Sequence, residues 1–297
     1  MDRLQAMTTF VRVVESGSFS AAARLMHIGQ PAVSKAVAQL ERQLGVQLLL
    51  RSAHGLTPTD AGQRYFERVA RIVSDTEEAD AAARDSTVGL QGRLRVAVPT
   101  TFGRIQVVPR LGQFLKDHPR LDVDVELDDR RVDLVAEGID VAIRLGPLHD
   151  STMIARRLGR GRRSVIATPR YLKTFPSLET PEDLRLHQAV TYTRDSAAKY
   201  TFRQSGDEVT VSLKPRLHLS AAEGIRAAVC ADLGLTIAAD WMFEPELKNG
   251  TVVRCLTLWA LPPIDLWIVY PSGRLTSAKA RAFSGFIATV VAQLETV

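Results

Sequence analysis

Four polar side chains near the amino end, Gln30, Ser34, Lys35 and Gln39, recur at spacings that bring them to one side of a helix. Glutamine pairs bidentately with the edge of adenine, serine adapts to several bases, and lysine binds guanine or phosphate. Together these residue types predict contact with base edges in the major groove of DNA. The alternative, an ordinary amphipathic helix with a solvated polar face, fits this segment taken alone equally well.

The helix that would present these side chains is defined by an apolar seam. Apolar residues recur at steps of four, three and four, which is the period of one buried helical face. Pro31 suits the first turn, where its missing N–H costs nothing, and Gly45 suits the end of the helix. The seam consists of Val33, Val37, Leu40 and Leu44.

Two further helices are predicted upstream, and they favour the DNA-binding interpretation. The first ends at Gly17, and Ser18 can cap the second, which a short break at residues 27–29 separates from the third. Two short helices joined by a tight turn are the helix-turn-helix arrangement, whose second member enters the major groove. The apolar stripes of the two upstream helices are Leu4, Met7, Phe10, Val11 and Val14, then Phe19, Ala22, Leu25 and Met26.

The run from Met1 to Gly62 resembles the winged helix-turn-helix of LysR-type transcriptional regulators. The matching pieces are FVRVVESGSFSAAARLM, QPAVSKAVAQLERQLGVQLLLR and TPTDAG, in the order and spacing of that family. The resemblance implies that Pro31 belongs to the DNA-binding surface and that a wing contacts DNA through Arg51 and His54. Many relatives carry arginine at the position of His54, so we expect its contact with DNA to be weaker or to depend on pH. A solvated loop residue is the alternative for His54.

Composition and charge agree with a globular protein that binds DNA. The chain has 297 residues, of which 45% are hydrophobic and 24% charged, and its net charge is +5. Residues 1–73 hold nine Lys/Arg against five Asp/Glu, so the predicted helix-turn-helix lies at a basic end of the chain. No apolar run approaches the roughly 18 residues of a membrane-spanning helix, and no secretory signal is visible, so we expect a cytoplasmic protein.

The two cysteines, Cys230 and Cys255, have neither metal-ligand nor CxxC spacing. We expect buried thiols in a reducing compartment, with a redox sensor as the alternative. The sequence also lacks the common motifs of catalytic and phosphate-binding sites. It therefore predicts no enzyme activity, no metal site and no cofactor.

A long helix is predicted to follow Thr59, which can cap it. Small and apolar residues along this helix follow steps of four and three, which is the seam of a coiled coil held over nearly three heptads. We expect this seam to join two subunits, as the resemblance also implies, and packing against its own domain is the alternative. The seam consists of Tyr65, Val69, Ile72, Thr76, Ala79 and Ala83.

Short strands alternate with helices in the rest of the chain, which predicts an α/β domain built on a parallel sheet. The resemblance implies a two-lobed effector domain of the periplasmic-binding-protein-like fold. The predicted fold class is therefore mixed, with a winged helix-turn-helix, a long linker helix and this effector domain. The predicted bounds are 1–58, 59–89 and 90–297, with lobe one at 93–161 plus 268–297 and lobe two at 162–267.

Candidate effector-binding residues follow from the rule that ligands bind outside the carboxyl ends of strands in open α/β sheets. The first strand leads into Thr100, Thr101 and Phe102 at a helix N-terminus, which is a natural anion site. Arg144 ends another strand at the same edge and could supply a positive charge. A simple helix cap is the alternative for Thr100, and a surface or inter-lobe salt bridge is the alternative for Arg144. The lobe-two residues expected at the cleft are Tyr192, Phe202 and Ser220.

Two carboxylates on the same rim, Asp128 and Asp129, argue against a simple anion site. They would repel a small organic anion unless Arg130 or Arg131 neutralised them. Three alternatives therefore stay open: an anionic effector, an effector with amine or hydroxyl groups, and no diffusible effector.

The resemblance implies a sequence-specific transcriptional regulator controlled by a small-molecule effector between the two lobes. Its partners would be double-stranded DNA with an interrupted palindrome, further copies of the chain in a dimer, tetramer or larger ring, and RNA polymerase. A transport-type solute-binding protein and an α/β enzyme are the competing classes. The first lacks a visible secretory signal, and the second lacks a converging set of reactive side chains.

Overall fold

The computed structural model describes residues 2–52, 55–83, 89–148, 153–193, 199–213, 215–272 and 276–295. The chain divides into two compact units, Met1–Gly92 and Arg93–Val297. Each unit has its own hydrophobic core.

The first unit consists of α1 (Arg3–Ser16), α2 (Phe19–Leu25), α3 (Gln30–Leu44), β1 (Leu49–Ser52), β2 (Gly55–Pro58) and α4 (Asp60–Ala83). Local signals determine the helix boundaries. Gly17 and Gly45 end α1 and α3 in the left-handed conformation, with φ of 64° and 67°. The Ser18 hydroxyl accepts a hydrogen bond from the Ala21 N–H at 3.4 Å, at the start of α2. The predicted order of three helices and a hairpin is therefore present.

The core of the first unit lies between α1, α2 and α3. Val33, Val37 and Leu40 of α3 are at most 2% exposed and belong to the same buried cluster as Phe10 and Val13 of α1. Burial of this seam determines which side of α3 faces outward.

The first half of α4 packs against α1 of the same chain. Val69 and Val73 form a buried cluster with Val11, and the Tyr65 ring lies 5.7 Å from the Phe10 ring. This corrects part of the predicted dimer seam, because Tyr65 and Val69 already serve the core of their own domain. The periodicity could not show this, since intramolecular and intermolecular seams have the same spacing.

After α4 the chain alternates between strands and short helices. The strands are β3 (Gln91–Val98), β4 (Arg120–Leu127), β5 (Val141–Leu145), β6 (Ile154–Gly161), β7 (Arg163–Ala167), β8 (Ala189–Tyr192), β9 (Lys199–Gln204), β10 (Asp207–Ser212), β11 (Pro215–Leu219), β12 (Thr236–Ala239), β13 (Val253–Cys255) and β14 (Ile264–Tyr270). The helices are α5 (Thr100–Phe102), α6 (Leu111–Asp117), α7 (Pro169–Thr174), α8 (Ala222–Cys230), α9 (Glu244–Lys248) and α10 (Ala278–Glu295). A π-turn (Gly103–Val107) and a 3-10 turn (Val108–Arg110) join α5 to α6, and 3-10 segments span Pro181–Leu186 and Asp240–Phe243.

Five strands form the sheet of lobe one, in the order β4-β3-β5-β14-β6. β3 and β5 are parallel, with Val96 opposite Val141, whereas β14 is antiparallel to both β5 and β6. The sheet is therefore mixed, which corrects the predicted parallel sheet. The reason is that β6 leads out of lobe one and β14 returns to it, so the two neighbours run in opposite directions.

The helical run from α5 to α6, together with α10, packs on the apolar core of this sheet. The rings of Phe114 and Phe283 lie 5.8 Å apart in an edge-to-face arrangement between α6 and α10. This packing holds Thr100 at the carboxyl end of β3, close to the end of the parallel strand β5.

Lobe two contains the sheet β12-β7-β13, the parallel pair β8 and β11, and the hairpin of β9 and β10. Phe202 is fully buried in the core of this lobe with Tyr171 and Val211. It therefore does not line the cleft as predicted, because its side of β9 faces the core. The lobe boundary is corrected as well, since Ile264 to Trp267 pair with β6 and belong to the sheet of lobe one.

Candidate functional site

The outer face of α3 carries the polar side chains predicted to contact DNA. Gln30, Pro31 and Lys35 are exposed, and Ser34 and Gln39 are half-buried. Within the described part of the chain, none of these side chains is engaged in a hydrogen bond or ion pair. The face is therefore available to an external partner along its first three turns.

The hairpin of β1 and β2 is held to α3 by a carboxylate. Glu41 Oε1 accepts hydrogen bonds from the N–H groups of Leu48 at 2.7 Å and Leu49 at 3.1 Å. Arg51 lies opposite Leu56 in the two-stranded pair, at the position expected for a wing. The side chain of Arg51 and all of His54 lie outside the described residues, so their roles stay predictions.

The junction between the wing and α4 is tightly packed. The Thr59 hydroxyl donates to the Gln47 carbonyl oxygen at 2.8 Å and accepts from the Gly62 N–H at 2.9 Å, so Thr59 caps α4. A Cβ at Gly62 would lie 1.9 Å from the Leu48 carbonyl oxygen. Only glycine allows this approach of the helix to the hairpin.

The second half of α4 leaves part of the predicted dimer seam on the surface. Ile72 is 46% exposed, and Ala79 is exposed as well. The Thr76 hydroxyl is turned back to the Ile72 carbonyl oxygen at 2.8 Å. The side chain of Ala83 lies outside the described residues.

At the carboxyl ends of the lobe-one strands, one of the two predicted carboxylates caps the helical run. Asp129 Oδ1 accepts a hydrogen bond from the Thr100 N–H at 2.9 Å. Asp128 pairs instead with Arg130, whose Nη2 lies 2.6 Å from its Oδ2. Hydrogen bonds from Arg130 hold the pKa of Asp128 below its ordinary value. The position that favours an anion at Thr100 is thus occupied by a carboxylate of the protein itself.

Thr101 and Phe102 are buried rather than open to a cleft, being at most 1% exposed. The Phe102 ring meets the Trp241 ring of lobe two edge-to-face, with centroids 5.1 Å apart. These two residues therefore belong to a contact between the lobes, which corrects the prediction that they face solvent or a ligand.

Arg144 is half-buried at the end of β5, where its Nη2 donates to the Val132 carbonyl oxygen at 3.2 Å. Within the described part of the chain it has no carboxylate partner, so the predicted alternative of a salt bridge is not seen there. Burial, followed by repulsion from Arg131, lowers the pKa of Arg144. An anion close to Arg144 would relieve this unfavourable charge.

The remaining predicted residues of lobe two lie close to the lobe contact. Tyr192 is half-buried at the end of β8 and packs against the large core cluster. Ser220 is exposed and lies just before α8.

Sequence reasoning missed a group of charged side chains between the lobes. Arg104 of the π-turn binds Glu223 of α8 through two hydrogen bonds, at 3.0 Å and 3.2 Å. Glu223 also accepts from Arg226 at 2.9 Å, and Arg226 in turn binds Glu246. Burial opposes ionisation of Glu223, but Arg104, Thr101 and Arg226 hold its pKa below the ordinary value.

Neither thiol has the environment of a reactive cysteine. Burial raises the pKa of Cys230, and it raises that of Cys255 to about 11. Since the thiolate is the nucleophile, both groups are protonated and slow to react near neutral pH.

Within the described ranges, no helix is long and apolar enough to cross a membrane.

Comparison with known proteins identifies relatives of both units. Residues 4–63 match the family "Bacterial regulatory helix-turn-helix protein, lysR family", and residues 88–292 match the "LysR substrate binding domain". The chain is 33% identical over 285 residues to an HTH-type transcriptional regulator of Xanthomonas campestris, covering 94% of this chain and 83% of that protein.

Two solved structures of full-length proteins are also similar. CrgA, a LysR-type transcriptional regulator from Neisseria meningitidis, matches with a TM-score of 0.59 and 27% identity over 98% of both chains. The Vibrio cholerae virulence activator AphB matches with a TM-score of 0.57 and 28% identity, over 97% of this chain and 99% of that one. These matches confirm the resemblance and the mixed fold class predicted from the sequence.

Proposed function

The chain belongs to the LysR-type transcriptional regulators, and from that premise we propose that α3 reads operator DNA through Gln30, Ser34 and Lys35. It is a regulator with a DNA-binding helix-turn-helix and an effector-binding domain, not an enzyme. In the proposed mode the α3 N-terminus lies in the major groove, with Pro31 and Gln39 beside it and Arg51 contacting DNA from the wing. We also propose that the protein acts in the cytoplasm, because the DNA that a bacterial regulator binds lies there.

One observation carries this proposal: Gln30 and Lys35 are exposed and have no partner among the described residues, while the opposite face of α3 is buried. A glutamine and a lysine that bind no other described residue keep their donors and acceptors for base edges and phosphates. The excess of basic residues in this part of the chain supports the electrostatic share of binding.

The test measures binding of the full-length protein to its own upstream DNA by fluorescence anisotropy, with scrambled DNA as competitor. Gln30→Ala should weaken binding to the specific DNA by about tenfold or more, because a bidentate base contact is lost. Gln43→Ala is the matched control, since Gln43 is exposed on the same helix nearly opposite Ser34. Equal affinities of all three proteins, or wild-type binding that ignores sequence, would contradict the proposal.

The proposal includes assembly with further copies of the chain. Exposed Ile72 and Ala79 on the second half of α4 support a contact between two such helices. A two-fold pair of heads would read an interrupted palindrome, whose half-site spacing mirrors the protein symmetry. A tetramer or larger ring, and contact with RNA polymerase, belong to the same proposal.

We further propose that a small-molecule effector binds between the lobes, at the carboxyl ends of β3 and β5. Thr100, Asp128, Arg144, Tyr192 and Ser220 are the proposed contacts. The half-buried Arg144, which has no carboxylate partner within the described residues, favours an anionic group on the ligand. Near Thr100, the Asp129 carboxylate favours a hydrogen-bond donor instead.

A further inference from the structure

One carboxylate at the contact between the two lobes binds arginines from both of them. Glu223 at the start of α8 in lobe two binds Arg104 of lobe one through both oxygens, at 3.0 Å and 3.2 Å. The same carboxylate accepts from Arg226 at 2.9 Å. Paired charge-assisted hydrogen bonds of this kind have a defined geometry as well as greater strength than neutral ones.

The lobe-two end of this contact is rigidly held. Arg226 is 8% exposed, binds Glu246 as well as Glu223, and lies with its guanidinium carbon 5.9 Å from the centre of the Phe243 ring. A buried guanidinium between two carboxylates cannot move without leaving a charge unpaired. Glu223 is therefore fixed relative to the body of lobe two.

The lobe-one end belongs to the segment proposed to contact the effector. Arg104 lies in the π-turn that directly follows α5. Thr100, the first residue of α5, donates its N–H to Asp129. Gln106 of the same turn donates to Glu244 at 2.5 Å, so the turn is bound to lobe two at a second point. Turns of this type are uncommon and occur frequently at functional sites.

We infer that Glu223 is a positioning residue that holds lobe one against lobe two and thereby couples the effector cleft to the angle between the lobes. This inference rests on the proposed effector site. A ligand between the lobes changes their angle only if it binds the two arrangements with different affinity. The contact between Glu223 and Arg104 stabilises one angle between the lobes, and a ligand either stabilises that angle further or favours a different one.

The test is hydrogen exchange of the full-length protein, comparing Glu223→Gln with Glu208→Gln. Glu208 is the matched control because it forms a 2.9 Å ion pair with Arg203 within lobe two alone. Glu223→Gln should raise amide exchange about tenfold in both 100–107 and 222–230 and leave the hairpin 199–212 unchanged. Acceleration confined to 222–230 would overturn the inference, since it would reveal only local support of α8.

Arg104→Gln provides a second variant that perturbs folding less, because the Arg104 side chain is 49% exposed. It should reproduce the exchange pattern, and the double variant should exchange no faster than Glu223→Gln alone. Additive acceleration, or no effect of Arg104→Gln, would overturn the inference.

A transcriptional readout separates coupling from simple structural support. With no ligand added, Glu223→Gln should change the output of a reporter on the protein's own promoter by about fivefold, whereas Glu208→Gln should not. Unchanged output together with altered exchange would overturn the coupling. The exchange result does not depend on DNA, so failure of the Gln30 test and failure of this inference are distinguishable.

Discussion

The outer face of α3 and the contact between the lobes use polar side chains in opposite ways. On α3, Gln30 and Lys35 are exposed and have no internal partner in the described chain. Between the lobes, Arg104, Glu223 and Arg226 are bonded to one another. A surface that reads a large external partner leaves its donors and acceptors to water until that partner binds, whereas the contact between the lobes pairs its charged groups with one another.

Among the proposed substitutions, the largest loss of stability is expected when the Phe202 ring is removed. Because the ring is fully buried in the lobe-two core, Phe202→Ala should lower the free energy of unfolding of the effector domain by about 3–5 kcal/mol. Urea unfolding followed by tryptophan fluorescence reports on this domain, since Trp241, Trp259 and Trp267 all lie in it. Leu258→Ala is the control, because Leu258 is 78% exposed. If neither substitution lowers the free energy of unfolding appreciably, the Phe202 ring does not support the core, and its assignment to the cleft would be restored.

Local signals explain why the sequence predicted the first unit better than the second. Gly17, Ser18 and Gly45 each act within one helical turn, so spacing alone places the boundaries of α1, α2 and α3. In contrast, Arg104 and Glu223 are 119 residues apart, and no spacing rule relates them.

The same limit explains the incorrect assignment of Phe202. Alternation along β9 indicates that the residue is buried on one side, but it does not show whether the core or the cleft covers that side. The sequence places Asp128 and Asp129 directly after a strand, yet only the turn after β4 determines that Asp129 reaches Thr100.

Replacing one glycine in each unit by alanine tests how closely that unit is packed around it. In Gly62→Ala the new Cβ would meet the Leu48 backbone oxygen at 1.9 Å, which cannot move without displacing the hairpin. In Gly103→Ala the closest atom, at 2.3 Å, is the end of the Leu127 side chain, which is 40% exposed. Gly62→Ala should destabilise its unit by about 1–3 kcal/mol and Gly103→Ala by less, because a side chain can rotate away.

Differential scanning calorimetry of the full-length variants would measure both effects. Weaker DNA binding should accompany the Gly62→Ala change, since the hairpin carries the wing. Gly112→Ala is a useful control, because nothing lies within 4 Å of its Cβ position. The reverse order of destabilisation would show that the hairpin adapts more easily than the lobe contact.

The smallest effect concerns His187, which is 6% exposed near Tyr171 and Phe175 in lobe two. Burial lowers the pKa of His187, although the nearby Asp183 opposes the shift. Below its ordinary value of about 6.5, the unfolded chain takes up a proton more readily than the folded one, so stability falls as pH decreases. One such group gives a slope of at most about 1.4 kcal/mol per pH unit. Urea unfolding between pH 7.5 and 5 should show this slope in the effector domain and a shallower one in His187→Phe. Equal slopes in the two proteins would assign the pH dependence to other groups.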